Sequence, residues 1–203
     1  MRDHLVLVFL ADTHMLEKEL SVPPGDLVIH CGDASFMATD NVVEFDSWLG
    51  ELPHRHKIFV PGNHDGAYAD ERLKNAIVLV NQGVEVEDLK IWGTPTSSVG
   101  PAFGVSSPEE RRRIFAAIPE DTDILVSHAA PYGVLDNRCG DRELRAASDR
   151  VGPLIHSFGH IHAGPSSMTI GETLYVNASL LGPDGALRGK PVIVKLPRAK
   201  TAT

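Results

Sequence analysis

Residue types that bind metal ions follow five apolar, strand-like segments of the chain. The side chains concerned are Asp12, His14, Asp33, Asn63, His64, His128, His160 and His162. One such residue after a strand is commonly a turn or core residue, but five successive occurrences are hard to explain as turns. Because sites in α/β sheets assemble at the carboxyl ends of strands, the sequence predicts that these side chains meet.

The number and chemistry of these side chains indicate two metal ions. Without His64 the set holds two carboxylates, one amide and four imidazoles, which exceeds the roughly four to six ligands of a single ion. Two ions ~3.5–4 Å apart fit the set if one carboxylate bridges them, and Asp33 is the natural bridge. Imidazole, carboxylate and amide ligands without a thiolate suit manganese first, with iron, nickel or zinc as alternatives.

Such a centre would attract and hydrolyse a phosphate ester. Two divalent ions, two carboxylates and a bridging hydroxide leave a net charge of about +1, and the ions lower the pKa of the shared water towards ~7. His64 directly follows Asn63 and remains as a spare imidazole. We therefore expect attack by a metal-bridging hydroxide, with His64 as the general acid that protonates the leaving group.

The composition of the whole chain narrows the class of partner. The chain has 203 residues, with 19 Lys and Arg against 27 Asp and Glu, so its formal charge is −8. That balance disfavours a nucleic-acid polymer or a membrane surface as partner. The sequence shows no long apolar run and no signal-peptide pattern, and its two cysteines make no disulfide framework, so we expect a cytoplasmic protein.

The elements that must position these residues alternate between strand and helix in the first half. Strands are expected at 5–10, 27–30, 58–60, 124–126 and 154–158, with His30 and His156 as buried core histidines, and helices at 41–49, 108–117 and 141–149. A hairpin around 87–88 and strands at 167–170, 174–177 and 192–196 indicate a second, more antiparallel sheet. We expect one domain over 1–197, an α/β sandwich of two sheets with outer helices, and a flexible tail at 198–203.

The motif blocks resemble those of calcineurin-like metallophosphoesterases. They are Asp-Thr-His at 12–14, Gly-Asp at 32–33, Gly-Asn-His-Asp at 62–65, His128 and Gly-His-Ile-His at 159–162, complete and in family order. The resemblance implies a four-layer α-β-β-α sandwich of two mixed sheets flanked by helices. It also implies one metal on Asp12, His14, Asp33 and His162, another on Asp33, Asn63, His128 and His160, and His64 as the catalytic histidine.

A narrower likeness points to the metallophosphoesterase-domain-containing subgroup, which is associated with hydrolysis of cyclic nucleotides and other phosphodiesters. It is carried by Lys-Ile-Trp-Gly-Thr-Pro at 90–95, Ile-Pro-Glu at 118–120 and Asn-Ala-Ser at 177–179. The sequence departs from the subgroup in the residues after His128, His64 and His162. These departures affect the pocket walls, where we expect Asn137 and Arg138 to contact the substrate.

Several functions share this ligand set. A phosphomonoesterase or phosphoprotein phosphatase would use the same metal core, whereas a nuclease is disfavoured by the net charge. A non-catalytic interaction module on the same fold would usually lack some ligands or the catalytic histidine, and all are present here. The sequence leaves the substrate, the metal pair and the oligomeric state open.

Overall fold

Eleven strands and three α-helices make up the part of the chain that the structure, a computed structural model, describes: residues 3–34, 41–66 and 72–198. The strands are β1 His4–Leu10, β2 Leu27–His30, β3 His56–Phe59, β4 Ile77–Val78, β5 Gln82–Val86, β6 Leu89–Thr94, β7 Ile124–Ser127, β8 Ile155–Phe158, β9 Ser166–Ile170, β10 Thr173–Asn177 and β11 Val192–Pro197. The helices are α1 Asn41–Glu51, α2 Pro108–Ala116 and α3 Arg142–Val151, with a short 3-10 helix at Glu17–Glu19.

The strands form two mixed sheets. Sheet A has the order β11-β1-β2-β3-β4, and sheet B has the order β5-β6-β7-β8-β10-β9. Strands β1 to β4 run parallel in sheet A, and β6, β7, β8 and β10 run parallel in sheet B. Parallel neighbours end at the same edge of a sheet, so the loops that follow them lie side by side.

The two sheets pack face to face, and helices cover their outer faces. Leu7, Phe9 and Ile29 of sheet A are buried in one cluster with Ile124 and Val176 of sheet B. A second cluster joins α1 to the outer face of sheet A, and a third joins α2 and α3 to the outer face of sheet B. This arrangement confirms the predicted four-layer α-β-β-α sandwich.

Burial on both faces explains the uninterrupted apolar runs of the central strands. In β1, Leu5, Leu7 and Phe9 pack towards sheet B, whereas Val8 and Leu10 pack towards α1. A strand with one face in water would alternate apolar and polar residues instead. The continuous Leu-Val-Leu-Val-Phe-Leu run of β1 therefore follows from its place between the other sheet and a helix.

Local sequence signals set several element boundaries as predicted. Helix α2 begins at Pro108, and the preceding residue, Ser107, caps it: the Ser107 hydroxyl accepts a hydrogen bond from the Glu110 N–H at 3.2 Å. Glu87 and Asp88 join β5 to β6 with φ values of 52° and 62°. Left-handed residues at both central positions match the twist of a tight hairpin.

Of two expectations about the second sheet, one was confirmed and one was wrong. Sheet B has two antiparallel edge pairs, β5 with β6 and β9 with β10, where sheet A has one, β11 with β1, although the centre of sheet B is parallel. The predicted strand at 192–196 is present as β11, but it pairs antiparallel with β1 of sheet A. The strand pattern shows that a segment is extended and half-buried, and it carries no information on which sheet edge the segment joins.

The predicted tail, 198–203, falls outside the described residues except for Arg198, whose guanidinium donates a hydrogen bond to Glu87 at 2.9 Å. Among the helices of the described ranges, none has the length and apolar character needed to cross a membrane.

Candidate metal centre

Five loops meet at one edge of the sandwich, following β1, β2, β3, β7 and β8. In sheet A, the Asp12 N–H donates to the Gly32 carbonyl at 2.8 Å, which joins the loops after β1 and β2. In sheet B, the Gly159 N–H donates to the His128 carbonyl at 3.1 Å. The ring of His128 joins the two sheets, because its Nδ1 lies 2.8 Å from the Cys31 carbonyl. These contacts bring the predicted side chains together.

The candidate ligands form two groups. The first is Asp12, His14 and His162, and the second is Asp33, His128 and His160; within each group one donor atom per residue lies within 4.8 Å of the others. The seventh candidate, Asn63, joins the second group, because its Oδ1 lies 3.0 Å from the His128 Nε2.

Asp33 lies between the two groups. Its Oδ2 is 3.3 Å from the His128 Nε2 and 3.8 Å from the His14 Nε2. Its other oxygen, Oδ1, accepts the His64 backbone N–H at 2.8 Å. One carboxylate thus faces an imidazole of each group, which is the placement that a bridging ligand requires.

The floor of the centre is buried, and one side is open. Asp12, Asp33, Asn63 and His128 are buried. The side chains of His14 and His162, in contrast, are 22% and 32% exposed. A small molecule can therefore approach from the side of the first group.

The backbone at the ligands is held in a conformation that few residues adopt. Asp12, His14, Asp33 and His160 have φ values of 55°, 41°, 58° and 67°, in the left-handed region. Each such non-glycine residue costs about 1–3 kcal/mol and persists only where neighbouring contacts enforce it. Strain of this kind clusters at functional sites, and here it falls on four of the seven candidate ligands.

Gly32 allows the two sheets to approach each other at the centre. It has a φ of 95°, and a Cβ placed there would lie 2.6 Å from the Gly62 nitrogen and 2.7 Å from the His128 ring. Only glycine fits both this conformation and this space. Steric constraints thus explain the glycine of the Gly-Asp block at 32–33, and the aspartate of that block is the candidate ligand.

Asp65 and Asn177 support the ligand loops, and the sequence did not assign them this role. The Asp65 carboxylate accepts the backbone N–H groups of Asp33 and Gly62 at 2.8 and 2.7 Å. The Asn177 amide donates to the Ile161 carbonyl at 2.9 Å, between His160 and His162. Both residues lie in the motif blocks at 62–65 and 177–179, and this membership is the sequence signal that could have indicated their supporting role.

Electrostatics favour an ion pair between Asp33 and His128 when no metal is bound. Burial alone lowers the pKa of His128, but the charges of Asp33 and Asp12 outweigh burial and raise that pKa to about 9. Burial raises the pKa of Asp33, but the charge and hydrogen bond of His128 outweigh it and hold the pKa below its usual range. The pKa values of His14 and His160 are lowered, in both cases mainly by burial.

The residues present fit divalent metal ions. The Nε2 of His14 is buried and has no hydrogen-bond partner within the described ranges, although it points at Asp33. A buried imidazole nitrogen without a partner requires an explanation, and a metal ion supplies one. The donor set of imidazole, carboxylate and amide groups suits manganese, iron, nickel or zinc.

His64 lies beside the centre and outside both donor groups. Its side chain is exposed, and its ring centroid is 5.2 Å from that of His14. Its backbone N–H is fixed on Asp33, as described above. The ring therefore lies next to the first group, in edge contact with His14, and is not one of the candidate ligands.

Asn137 and Arg138 are not brought to the centre by any polar contact. Both side chains are exposed on the loop 133–140, and among the described residues neither forms a hydrogen bond or ion pair with a candidate ligand. The loop is ordered by Asp136, whose carboxylate accepts the N–H groups of Gly133, Arg138 and Gly140.

Comparison with known proteins agrees with this geometry. Residues 5–164 match the family model described as calcineurin-like phosphoesterase. Metallophosphoesterase domain-containing protein 1 of Homo sapiens is 30% identical over 234 residues, covering 96% of this chain and 72% of that protein. A UPF0046 protein of Caenorhabditis elegans is 32% identical over 233 residues, covering 96% of this chain and 82% of that protein.

A solved structure shows the same fold. The phosphopantetheinyl hydrolase of Mycobacterium tuberculosis superposes with a TM-score of 0.65, at 13% identity, over 91% of this chain and 92% of that one. At that identity the likeness concerns the fold alone. The sequence match, which spans most of the chain and every candidate ligand, shows that this protein belongs to the calcineurin-like phosphoesterase family, which supports metal-dependent hydrolysis of phosphate esters.

Proposed function

We propose that the protein is a cytoplasmic phosphodiesterase that hydrolyses small phosphodiesters, cyclic nucleotides among them, at a centre of two manganese ions. The observation that carries the proposal is the shared position of Asp33 between two groups of candidate ligands, with His64 beside them. The free thiols of Cys31 and Cys139 support a reducing compartment.

The two groups define which residues would hold the ions. Asp12, His14, Asp33 and His162 would hold one, and Asp33, Asn63, His128 and His160 the other. Two bound divalent ions would polarise the phosphoryl oxygens and lower the pKa of water at the centre. The hydrogen bond between His128 Nδ1 and the Cys31 carbonyl, at 2.8 Å, leaves Nε2 directed at Asp33 and Asn63, which is the orientation that a ligand needs.

His64 has the position and chemistry to protonate the leaving group. Its ring is exposed at the open side of the centre, beside His14. A protonated imidazole there would donate its proton to the oxygen that departs from phosphorus and become neutral, which lowers the barrier most for alkoxide leaving groups.

The charges around the centre support a diester over a monoester. A monoester carries an extra negative charge, and sites for it commonly supply additional cationic side chains. In the described part of the chain, no Lys or Arg forms an ion pair with Asp12 or Asp33. The exposed Asn137 and Arg138 would contact a bound substrate from the loop 133–140.

The test compares two substrates that differ in charge. Metal-stripped protein is reconstituted with Mn²⁺ and assayed on an aryl phosphodiester and on the matching aryl phosphomonoester. We expect faster turnover of the diester, followed by activity on 2′,3′- or 3′,5′-cyclic nucleotides. The His64→Ala variant, purified in parallel, controls for a contaminating phosphatase.

Two other outcomes would change the assignment. Preference for the monoester would indicate a phosphatase that uses the same ligand set. No turnover of either substrate with Mn²⁺, Ni²⁺ or Zn²⁺, together with a thermal stability that EDTA does not alter, would indicate a non-catalytic interaction module, because a protein that binds metal is stabilised by it.

A further inference from the structure

His30 is a buried histidine at the end of β2 that belongs to neither ligand group. Its side chain is 1% exposed. Its ring packs between Phe45 of α1 and Phe59 of β3, with centroid distances of 5.2 and 5.4 Å. Packing alone accounts for an aromatic residue at this position, but it does not account for the two ring nitrogens.

Hydrogen bonds fix the proton of His30 on one nitrogen. The backbone N–H of Gly32 donates to Nδ1 at 3.1 Å, so Nδ1 carries no proton. Nε2, which lies 3.1 Å from the Thr13 Oγ1, must then carry the proton and donate it to the hydroxyl. The ring is thus neutral, and each nitrogen contacts a different loop.

Both loops carry candidate ligands in a strained conformation. Thr13 lies between Asp12 and His14, and Gly32 directly precedes Asp33. The four residues Asp12, His14, Gly32 and Asp33 all have positive φ values. Such a conformation needs contacts that enforce it, and the His30 ring is one buried group that contacts both loops.

Backbone hydrogen bonds also join the two loops and fix their register. The Asp12 and His14 N–H groups donate to the Gly32 and Asp33 carbonyls at 2.8 and 3.1 Å. The His30 ring adds a link between the same two loops through side-chain atoms, from the Thr13 hydroxyl to the Gly32 N–H.

We propose that His30, through Thr13 and Gly32, is a positioning residue that sets the spacing between the two groups of ligands and thereby the affinity of the centre for divalent ions. The inference rests on the proposed function, since it requires that the centre bind metal. The His30 ring makes no contact with substrate and takes no proton in the reaction.

The experiment alters the hydrogen bond and leaves the ring in place. Thr13→Val keeps the shape of the side chain and removes the hydroxyl that accepts from His30. Thr13→Ser keeps the hydroxyl and loses a methyl group, so it is the matched rescue variant. Ile118→Ala, in the core between sheet B and α2, controls for a general loss of stability away from the centre.

Binding of Mn²⁺ to each metal-stripped variant is measured by isothermal titration calorimetry. We expect Thr13→Val to bind about tenfold more weakly than wild type and Thr13→Ser to stay within about twofold, as for contacts that orient metal ligands. Ile118→Ala should bind like wild type. The visible absorption spectrum of the Co²⁺-substituted protein, which reports ligand geometry, should change in Thr13→Val alone.

The outcomes separate this inference from the proposed function. Wild-type protein that binds Mn²⁺, with Thr13→Val binding equally well and giving the same Co²⁺ spectrum, would overturn the role of His30 and leave the function standing. An equal loss of affinity in Thr13→Val and Ile118→Ala would also overturn it, because the effect would then be general. Wild-type protein that binds no metal would overturn both.

Discussion

The Oδ2 of Asp33 lies 3.3 Å from the Nε2 of His128, and both side chains are almost completely buried. The pair joins the two sheets, because Asp33 follows β2 of sheet A and His128 follows β7 of sheet B. In the metal-free protein the pair is ionic, since the charges of Asp33 and Asp12 overcome burial and raise the pKa of His128 to about 9. The same nitrogen is the one that would face a metal ion.

Metal binding at neutral pH should therefore release a proton from His128. Below pH ~9 the metal-free imidazole is protonated, and a ligand must be neutral, so the affinity for Mn²⁺ should rise with pH up to about that value. Calorimetric titrations at pH 7.5 in buffers of different ionisation enthalpy measure the number of protons released. We expect about one proton from this group, and an enthalpy independent of the buffer would contradict the assignment.

Replacing Asp33 should disrupt both metal positions. Asp33→Asn keeps an oxygen that can accept the His64 N–H but removes the negative charge from the side chain that faces both groups. We expect the number of metal ions that remain bound after gel filtration to fall from two per chain towards none. The rate of hydrolysis should fall by more than the 10–100-fold that is typical for residues that only orient the ligands. Elemental analysis by mass spectrometry checks the metal content. Two retained ions would show that Asp33 does not bridge.

Replacing His64 should separate metal binding from proton transfer. His64→Ala keeps the backbone N–H that Asp33 accepts, so we expect normal metal content with a rate lowered ~10²–10⁴-fold on alkyl esters. The loss should be smaller on a nitrophenyl ester, whose leaving group needs no proton. A variant that hydrolysed alkyl diesters at the wild-type rate would exclude His64 as the general acid.

A chain of side-chain hydrogen bonds joins three strands of sheet B, β7, β8 and β10, to helix α3. The Ser127 hydroxyl donates to the Ala129 carbonyl at 2.7 Å, so it accepts from His156 Nε2 at 2.9 Å. His156 Nδ1 then accepts from Ser148 at 2.9 Å, and Ser148 accepts from the Tyr175 hydroxyl at 3.2 Å. The chain requires a neutral imidazole, and burial lowers the pKa of His156 to about 3.

This lowered pKa predicts a loss of stability in mild acid. Between pH ~6.5 and ~3 the unfolded chain binds a proton at His156 that the folded protein does not, so the free energy of unfolding falls as pH falls. One group of this kind contributes up to ~1.4 kcal/mol per pH unit. Urea unfolding of the metal-free protein at pH 5, 6 and 7 measures the slope. His156→Gln, which cannot titrate, should be less stable than wild type at pH 7, but its free energy of unfolding should depend less steeply on pH. An equal dependence on pH in the variant and wild type would exclude His156 as the cause of the acid destabilisation.

Sequence patterns predicted the candidate ligands from their positions shortly after strands, and the structure brings these side chains close together. An apolar run of Val, Ile and Leu fixes where a strand ends, and parallel strands bring those ends to one edge. His30 and His156 lie within apolar runs, which predicts buried side chains, and both are buried. The pattern gives burial but not the direction of a hydrogen bond, so the contacts of His30 with Thr13 and Gly32 required the folded structure.

Contacts between distant elements could not be derived from local patterns. The pairing of β11 with β1 of sheet A depends on which sheet edge is free after the rest of the chain has folded. Asn137 and Arg138 were chosen because their loop follows His128, yet sequence proximity does not fix the direction of an exposed side chain. The support that Asp65 gives to the Asp33 loop is a contact across 32 positions of sequence.

Asn177 should be required for the geometry of the loop that carries His160 and His162. Its amide donates to the buried Ile161 carbonyl at 2.9 Å, and its Oδ1 accepts the Ser179 N–H at 3.1 Å. Asn177→Ala would leave the buried Ser179 N–H without its partner, which costs about 1–3 kcal/mol, and would leave the Ile161 carbonyl with the Ala163 N–H alone, which donates to it at 2.7 Å. We expect a lower thermal midpoint and Mn²⁺ affinity reduced about tenfold, in the range for residues that orient ligands.

Asn177→Asp separates the two contacts of Asn177, because it keeps the acceptor for Ser179 and removes the donor to Ile161. If the bond to Ile161 holds the ligand loop, this variant should lose at least as much Mn²⁺ affinity as Asn177→Ala, and its buried carboxylate should lower the free energy of unfolding in urea. If Asn177→Asp instead binds Mn²⁺ like wild type, the bond to Ile161 does not position His160 and His162, and the contribution of Asn177 is to the stability of the turn after β10.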